Sequence, residues 1–474
     1  MKRVGSRDVS LLAGALVGVY VLLIAGATAA ITDAARACST WPTCGGRWLV
    51  PPSDLQLAVA WGHRATAILV GLLVLVAVAV AYRRTEQRRV KGTLGVTVAL
   101  YPVQIGLGAL TVTQRTPWML STAHLVVGVA IFAGLVLALV WTLDRRTNTD
   151  EHDRPSDSVP DVEPVPTEAA TKPSSDDGWE PPQTVTGRIR ATIAAYGTLM
   201  KPRLMWLLCL VAAAGMGLAA GPDLSVRTVV ATMTGGVLAI GASGTFNHVL
   251  ERDVDRRMQR TADRPIATDR VGPRRALAFG ILLTLASLAV FLTINLLAAA
   301  LGLVAILFYS VIYTLVLKPN TVQNTVIGGF AGSLPAMIGA AAATETVGPA
   351  AWVLAGVIFL WTPAHFYNLA LAYREDYARG GFPMLPVVRG EAVARKHILL
   401  YAGATFVAAA LLSAVGGLGP LYAATAVVFG AVFLWAVLDL YEHRSKRAAM
   451  RSFHASNAYL GALLLAVILD TLAI

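Results

Sequence analysis

The stretch INLLAAALGLVAILFYSVIYTLV, residues 294–316, contains no charged side chain. A helix needs about 20 mostly apolar residues to cross a bilayer, so this stretch predicts a membrane-spanning helix. The composition agrees, because 56% of the 474 residues are hydrophobic and only 14% are charged. Soluble domains carry about 25% charged residues. The sequence therefore predicts an all-α polytopic membrane protein.

The apolar runs fall into two groups and predict about thirteen spans, four followed by nine. The runs lie near 10–31, 57–82, 92–113, 119–143, 204–220, 228–249, 274–292, 294–316, 323–344, 349–371, 397–416, 419–440 and 455–473. From Asp150 to Glu180, ten acidic side chains accompany two basic ones among many Pro, Ser and Thr residues. Such a segment cannot bury enough surface to fold. We predict a four-helix module at 1–145, a disordered linker at 146–190 and a nine-helix domain at 191–474.

Basic residues predict the orientation in the membrane. If the N-terminus is cytoplasmic, alternate loops such as 83–91, 251–275 and 374–396 are rich in Lys and Arg, whereas the opposite loops carry few charges. Thirteen spans then put the C-terminus outside. Orientation and contact with anionic lipid account for the net charge of +11, so no nucleic-acid partner is expected. We predict a multi-pass protein of the cell membrane.

Carboxylates cluster where the span at 228–249 enters its cytoplasmic loop. Asn247, Glu251 and Asp255 follow one another at four-residue intervals, which places them on one face of a helix, and Asp253 lies between them. Such a cluster repels itself unless a cation compensates it, and Mg²⁺ often joins one or two carboxylates to substrate phosphates. A charged juxtamembrane turn without a metal is the alternative.

Arginines follow this motif, and a second acidic group appears four spans later. Arg260 and Arg264 carry guanidinium groups of the kind that bind phosphate oxygens. Glu375 and Asp376 leave their span on the same predicted membrane face. Two acidic loops that face each other would hold Mg²⁺ around one diphosphate. This combination predicts an enzyme that ionises a prenyl diphosphate in a site shielded from water.

The second module resembles the UbiA-type intramembrane prenyltransferases over about residues 191–474, and within them the protoheme IX farnesyltransferase branch. The motifs that carry the resemblance are Asn247-x-x-x-Glu251-x-x-x-Asp255, Leu199-Met-Lys-Pro-Arg203, Arg260-Thr-Ala-Asp-Arg-Pro265, Tyr313-Thr-Leu-Val-Leu-Lys318, Gln323-Asn-Thr-Val-Ile-Gly-Gly329, His365-Phe366 and Pro383-Met-Leu-Pro-Val-Val-Arg-Gly390. Two positions depart from the superfamily pattern. Glu251 stands where Asp is usual, and Glu375-Asp376 replaces two aspartates four apart.

The resemblance implies transfer of a farnesyl group from farnesyl diphosphate to a vinyl group of heme b, with water addition, to give heme O. The implied metal ligands for Mg²⁺ are Asn247, Glu251, Asp253, Asp255, Glu375 and Asp376. The implied catalytic residues are Asn247, Glu251, Asp255, Asp376 and Arg264, and the implied substrate-binding residues are Lys201, Arg260, Lys318, Tyr309, Tyr313 and His365. The two tyrosines would stabilise the allylic cation with their ring faces or serve only as packing. His248 and His365 would orient the heme or be structural.

Two histidines characterise the first module. His63 and His124 lie near the outer ends of spans that run in the same direction, so their predicted depths are similar. Two imidazoles at matched depth in a membrane predict axial ligation of a heme, and two unrelated interfacial histidines are the alternative. Cys38 and Cys44 share one outer loop and are candidates for a disulfide.

The first module also resembles one four-helix half of heme A synthase, over about residues 10–143. The matching motifs are Cys38-Ser-Thr-Trp-Pro-Thr-Cys44, Gly62-His-Arg64, Gln104-Ile-Gly-Leu-Gly-Ala-Leu-Thr111 and Thr122-Ala-His124. The resemblance implies a bound heme, and heme A synthase or terminal-oxidase assembly as partners. Ala60 stands where that family has a carboxylate, so heme delivery is as compatible as catalysis.

Two other functions fit parts of the pattern. A UbiA-type enzyme with a quinone precursor or a lipid as its acceptor would share the acidic motifs. A transporter is a different class, and it predicts ionisable residues at mid-span and broken helices in repeat-related positions. The charges in this sequence concentrate at one membrane face instead.

Overall fold

The structure, a computed structural model, describes residues 7–31, 34–38, 40–48, 55–113, 118–152 and 182–473. In these residues all regular elements are helical and no strand occurs. Thirteen helices of the described chain are long and apolar enough to cross a membrane. The predicted all-α membrane fold with thirteen spans is therefore confirmed.

The first module contains four long helices and one short one. They are α1 (Arg7–Ile31), α2 (Ala34–Ala37), α3 (Leu55–Arg84), α4 (Arg88–Thr113) and α5 (Trp118–His152). The last helix continues beyond the predicted apolar run at 119–143. Most of the segment that we predicted as a disordered linker, residues 153–181, lies outside the described residues.

The second module begins with α6 (Val185–Leu199), which no apolar run of the sequence predicted. The elements that follow it are α7 (Pro202–Ala220), α8 (Val226–Leu250), α9 (Arg252–Asp255), α10 (Pro273–Leu292), α11 (Leu296–Leu307), a π-helix (Phe308–Leu317), α12 (Lys318–Asn320), α13 (Asn324–Thr344), α14 (Pro349–Ala372), α15 (Arg374–Arg379), α16 (Leu385–Val388), α17 (Glu391–Gly416), α18 (Pro420–His443) and α19 (Lys446–Ala473). Helix α6 exposes Val185, Ile189 and Ile193 along one face, as a helix at a membrane surface does.

The two modules pack against each other. Helices α1 and α5 contact α17, and α1 also contacts α18. Tyr20 of α1 is buried at this seam, where its ring centroid lies 5.0 Å from that of Phe406 and its hydroxyl 3.5 Å from that of Tyr459. Apolar residues of both modules belong to one hydrophobic core. The first module is thus held against the last three spans of the second.

Close backbone contact fixes α7 inside the second module. A Cβ atom at Gly215 would lie 2.2 Å from the backbone oxygen of Ala336 in α13. Membrane helices use small residues in this way, because lipid supplies no hydrophobic force between them and close packing must replace it. The contact holds α7, whose first turn follows Lys201, against the centre of the domain.

Candidate active site

Three helix ends bring the predicted site residues together. Helix α8, the span formed by α11 and the π-helix, and helix α14 are the sixth, eighth and tenth spans. Alternate spans run in the same direction, so the C-terminal ends of all three lie at one membrane face. Asn247 occupies the last turn of α8, Lys318 follows the π-helix, and Asp376 lies in α15, just after α14.

An amide and a lysine form the inner part of this cluster. Asn247 is buried, and its Oδ1 atom accepts a hydrogen bond from the Lys201 ammonium. Its Nδ2 atom donates to the Thr314 hydroxyl at 3.2 Å, and Lys201 also donates to the Tyr309 hydroxyl at 3.3 Å. The backbone of Lys201 is left-handed, with φ 57° and ψ 57°. This conformation is unfavourable in free energy for a non-glycine residue, and strained residues of this kind cluster at functional sites.

Each of the two carboxylates after Asn247 faces a basic side chain. The Lys318 ammonium donates to Glu251 Oε1 at 2.5 Å. One terminal nitrogen of Arg264 donates to both carboxylate oxygens of Asp255 at 2.8 Å. The side chains of Glu251 and Asp255 are 8% and 3% exposed, so these pairs are shielded from water and from screening salt.

Asp376 joins the two acidic loops directly. Its carboxylate accepts hydrogen bonds from the backbone N–H of Gln259 at 2.9 Å and of Arg260 at 3.2 Å, and from the Arg379 guanidinium at 2.7 Å. Gln259 and Arg260 belong to the loop after α9, 116 or more residues away in sequence. The loops that were predicted to face each other are therefore in contact.

Aromatic rings surround the basic groups of the cluster. The Arg260 guanidinium lies 5.6 Å from the ring centroid of Tyr373 and 5.8 Å from that of Tyr377. The Lys318 ammonium lies 4.3 Å from the ring centroid of Phe382. Sequence reasoning missed these three rings, although they flank the second acidic motif. Aromatic residues next to an acidic loop were the available signal.

Tyr309 and Tyr313 face the same cluster because of the π-helix between Phe308 and Leu317. Their ring centroids lie 5.5 Å apart, and the Thr314 hydroxyl donates to the backbone oxygen of Tyr309 at 2.8 Å. The π-helix is rare and is frequently found at functional sites. Both rings lie within it.

The ionisation of the carboxylates follows from burial and from their neighbours. Burial raises the pKa of Glu251, but Lys318, Lys201 and Arg264 outweigh it and hold the pKa below its ordinary value. Burial keeps the pKa of Asp255 above its ordinary value, although Arg264 opposes the shift. For Asp376, the bonds from Arg379 and the two amides overcome burial and lower the pKa.

Burial shifts the pKa of Lys201 in the opposite direction to that of the carboxylates. Burial lowers its pKa to about 8, with Glu251 and Asp255 opposing this shift and Arg264 adding to it. The ammonium is therefore charged at neutral pH but close to its titration range. A bound anion would stabilise the charged form.

Three predicted residues do not join the cluster. Asp253 is 86% exposed and lies 4.0 Å from Arg256, because it follows Glu251 by two residues and so points away from the face that carries Asn247 and Glu251. Glu375 is exposed, directly before buried Asp376. His365 instead packs against α19, stacked between Trp361 and Phe453, with its Nδ1 atom 2.7 Å from the Ser456 hydroxyl.

His248 is a fourth case. Its side chain is buried beside Asn247, and within the described chain its Nδ1 atom has no hydrogen-bond partner. Its charged neighbours are Lys201 and Arg264. It lies next to the cluster without forming a hydrogen bond to it through Nδ1.

The donor atoms of the cluster suit a hard divalent cation. Asn247, Glu251, Asp255 and Asp376 offer only oxygen, which is what Mg²⁺ prefers. Among the described residues, no three His, Cys, Asp or Glu side chains form a ready metal-binding group. Each of the three carboxylates is instead held by a basic partner. The residue types fit Mg²⁺ together with an anion that draws those basic partners away.

The first module carries its two histidines on neighbouring parts of one bundle, His63 on α3 and His124 on α5. Within the described residues, the Nδ1 atoms of His63 and His124 are inaccessible and have no hydrogen-bond partner. Gln104 Nε2 lies 3.3 Å from His124 Nε2. In the loop above them, Cys38 and Cys44 form a disulfide with Cα atoms 5.1 Å apart. Arg64 holds this loop by donating to the backbone oxygen of Cys38 at 2.7 Å.

These features define a class of protein: a polytopic helical membrane protein whose spans carry, at one face, a buried cluster of carboxylates, basic groups and aromatic rings. Residues 207–461 match the UbiA prenyltransferase family, and residues 3–137 match a cytochrome oxidase assembly protein family, COX15-CtaA. The chain belongs to the UbiA prenyltransferase family, with a COX15-CtaA domain at its N-terminus.

The chain is similar over its full length to several archaeal proteins. The protoheme IX farnesyltransferase of Halobacterium salinarum is 55% identical over 478 residues, covering 100% of both chains. Protoheme IX farnesyltransferase 1 of Natronomonas pharaonis is 58% identical over 465 residues, covering 98% of both chains. A solved structure of a UbiA homologue from Archaeoglobus fulgidus bound to GPP and Mg²⁺ is 16% identical, with a TM-score of 0.45 over 58% of this chain and 99% of that chain.

Proposed function

We propose that this protein transfers a farnesyl group from farnesyl diphosphate to a vinyl group of heme b, with addition of water, and so makes heme O. Relatives more than half identical over the whole chain bear the name of this activity. The observation that carries the proposal for this chain is the contact of Asp376 with the backbone of Gln259 and Arg260. It supports a single site built from both acidic loops.

The basic side chains of the cluster bind the diphosphate in this proposal. Lys201, Arg260, Arg264 and Lys318 surround the acidic residues, and three of them have an amide or carboxylate partner in the structure. An arriving diphosphate competes for these donors, because charge-assisted bonds to phosphate are strong. The freed oxygens of Asn247, Glu251, Asp255 and Asp376 would hold Mg²⁺. When bound, Mg²⁺ supplies positive charge that stabilises the departing diphosphate.

The prenyl group reacts after its bond to the diphosphate oxygen breaks. The bond electrons leave with diphosphate, and the farnesyl carbon becomes an allylic cation. The ring faces of Tyr309 and Tyr313 stabilise that cation. The heme vinyl group attacks it to form the new carbon–carbon bond, and water adds to the resulting cation and releases a proton. The surrounding spans exclude other water.

The test is to incubate membranes that contain the full-length protein with heme b, farnesyl diphosphate and Mg²⁺, and to identify the hemes by mass. We expect Asp255→Ala to lower heme O formation by at least 100-fold, because it removes a buried carboxylate of the cluster. Asp253→Ala is the matched control, since this aspartate is exposed on the same short helix. Unchanged heme O formation by Asp255→Ala would remove this residue from the mechanism. If wild-type membranes prenylate a quinone precursor or a lipid instead of heme, the proposal that heme b is the acceptor is wrong.

We also propose that the first module binds a heme between His63 and His124. Both imidazoles lie in one bundle with an unpartnered Nδ1 atom, and a buried polar atom without a partner is costly unless something completes it. The purified protein should show the low-spin spectrum of a bis-histidine heme. Replacing both histidines by Ala should abolish it, whereas replacing His248, which lies in the second module, should not. A low-spin spectrum that survives the double substitution contradicts this proposal.

The orientation proposed for the chain is a cytoplasmic active site and an outer C-terminus in the cell membrane. It is supported by the basic loops at the face that carries the cluster. Labelling of single cysteines at Asp253 and at Glu345 with an impermeant reagent in intact cells tests it, because both sites lie between membrane spans. Only position 345 should react. We further propose that heme A synthase or a terminal oxidase under assembly receives the product, on the basis of the COX15-CtaA match.

A further inference from the structure

A groove outside the active site runs between α4 and α5 in the first module. Its volume is about 580 Å³, and it opens at the surface of the bundle. Arg88 and Arg89 line one end of it, and Val96, Thr97, Leu137 and Trp141 line its length. Both arginines belong to the first turn of α4, so all the positive charge lies at one end of the groove.

The groove has the length of one bilayer leaflet. On α4 it extends from Arg88 to Thr97, which at 1.5 Å per residue is about 14 Å. The hydrocarbon core of a bilayer is about 30 Å thick, so one leaflet contributes about 15 Å. The arginines begin a membrane span, and the groove therefore starts at the membrane surface and ends near the bilayer centre.

The walls of the groove are apolar, and its floor is closed by direct helix contact. Val96, Leu137 and Trp141 provide large apolar surfaces. A Cβ atom at Gly134 would lie 2.3 Å from the Thr97 hydroxyl, so α4 and α5 touch beneath the groove. That hydroxyl already donates to the backbone oxygen of Thr93. An apolar chain thus fits the groove better than a polar ligand.

The open end offers charge that the protein does not neutralise. Arg88 and Arg89 are exposed, and within the described chain neither is paired with an acidic side chain. Arg84, in the same turn region, is different because it lies 3.7 Å from Asp8. We propose that the groove binds one anionic glycerophospholipid, with its phosphate at Arg88 and Arg89 and one acyl chain along α4. Charge at the headgroup and an apolar leaflet-length slot are both complementary to this ligand.

The test uses the tryptophan in the groove as a reporter. Full-length protein is reconstituted into phosphatidylcholine nanodiscs in which a fixed fraction of the lipid is acyl-brominated phosphatidylglycerol or, separately, acyl-brominated phosphatidylcholine. Bromine quenches nearby indoles. The chain has ten tryptophans, so the Trp141 signal is taken as the difference between the protein and its Trp141→Phe variant. At about 1 kcal/mol for each arginine, we expect phosphatidylglycerol to occupy the groove in roughly 30-fold preference over phosphatidylcholine at equal fraction.

Two double variants decide whether the arginines cause this preference. The variant with both Arg88→Gln and Arg89→Gln should bind the two lipids about equally. Arg83→Gln with Lys91→Gln removes the same charge from the adjoining ends of α3 and α4 at positions that do not line the groove, and should leave the preference in place. Equal quenching by both lipids in the unmodified protein overturns the proposal, as does a preference that survives loss of Arg88 and Arg89. Displacement of the brominated lipid by micromolar farnesyl diphosphate or heme would make the groove a substrate site and would also overturn it.

Discussion

Substitution of Asp376 by Ala tests whether this carboxylate joins the two loops of the site. The change removes the acceptor for the Gln259 and Arg260 amides and for Arg379. We expect the loop after α9 to open more often. Because Arg260 and Arg264 lie in that loop, the KM for farnesyl diphosphate should rise by more than tenfold.

The size of the effect follows from the bonds that are lost. A hydrogen bond to a charged acceptor contributes about 1.5–3 kcal/mol. The two amide bonds of Asp376 together then contribute about 3 kcal/mol at the low end of that range. Arg379 adds little, because its side chain is 43% exposed and the pair is screened by solvent. A loss of about 3 kcal/mol in local stability speeds amide exchange by roughly 100-fold.

Hydrogen–deuterium exchange with mass spectrometry measures this directly on the peptide that contains Gln259 and Arg260. Glu375→Ala is the matched control, because its side chain is exposed beside Asp376 and should leave exchange and KM unchanged. Asp376→Asn keeps the shape and one acceptor oxygen, so its exchange rate should fall between those of wild type and Asp376→Ala. Unchanged exchange in Asp376→Ala, or equal exchange in the two alanine variants, refutes the joining role.

Three further predictions concern charge and packing. Burial lowers the pKa of Lys201 to about 8, so its charge is present below that pH and lost above it. The kcat/KM for farnesyl diphosphate should therefore fall as the pH rises through 8. The pH–rate profile of Lys201→Arg should lack this fall, because a guanidinium stays charged. Lys318→Met leaves the buried Glu251 carboxylate unpaired, which should cost about 3 kcal/mol in thermal unfolding, and Lys318→Met with Glu251→Gln should recover most of it. Gly215→Ala should destabilise the protein by about 2 kcal/mol because the new Cβ meets Ala336, whereas Gly236→Ala, with open space at its Cβ, should be neutral or stabilising in the same assay.

The long apolar runs could be predicted because membrane solvent imposes a simple rule on the sequence. Every span needs enough apolar residues to cross the bilayer, so length and composition sufficed for all thirteen. Helix α6 was not predicted because, at 15 residues, it is shorter than the roughly 20 apolar residues of a span. Its apolar residues recur at four-residue intervals among arginines and polar residues, which lowers the average hydropathy that reveals a span.

Helical spacing predicted which side chains of the first acidic motif point in the same direction. It did not predict which residues elsewhere in the chain contact them. Positions 247 and 251 lie one turn apart at the end of α8, where Glu251 is the C-cap, and this follows from local geometry alone. The same rule excludes Asp253, and applying it would have removed this residue from the expected ligands. The contact of Asp376 with Arg260 depends on how α14 packs within the domain, and no local pattern encodes it. The π-helix that presents Tyr309 likewise has no clear signal in its apolar run.

The depths of the two proposed sites constrain how they would cooperate. His63 is 21 residues from the end of α3, or about 30 Å from the membrane face at which that helix ends. Asn247 is within one turn of the corresponding end of α8. The histidines and the carboxylate cluster therefore lie toward opposite faces of the bilayer. Under both proposals, a heme at the cluster and a heme on the histidine pair lie at different depths, so one heme cannot occupy both places at once. The two proposals together therefore place histidine ligation before or after farnesyl transfer for any one heme.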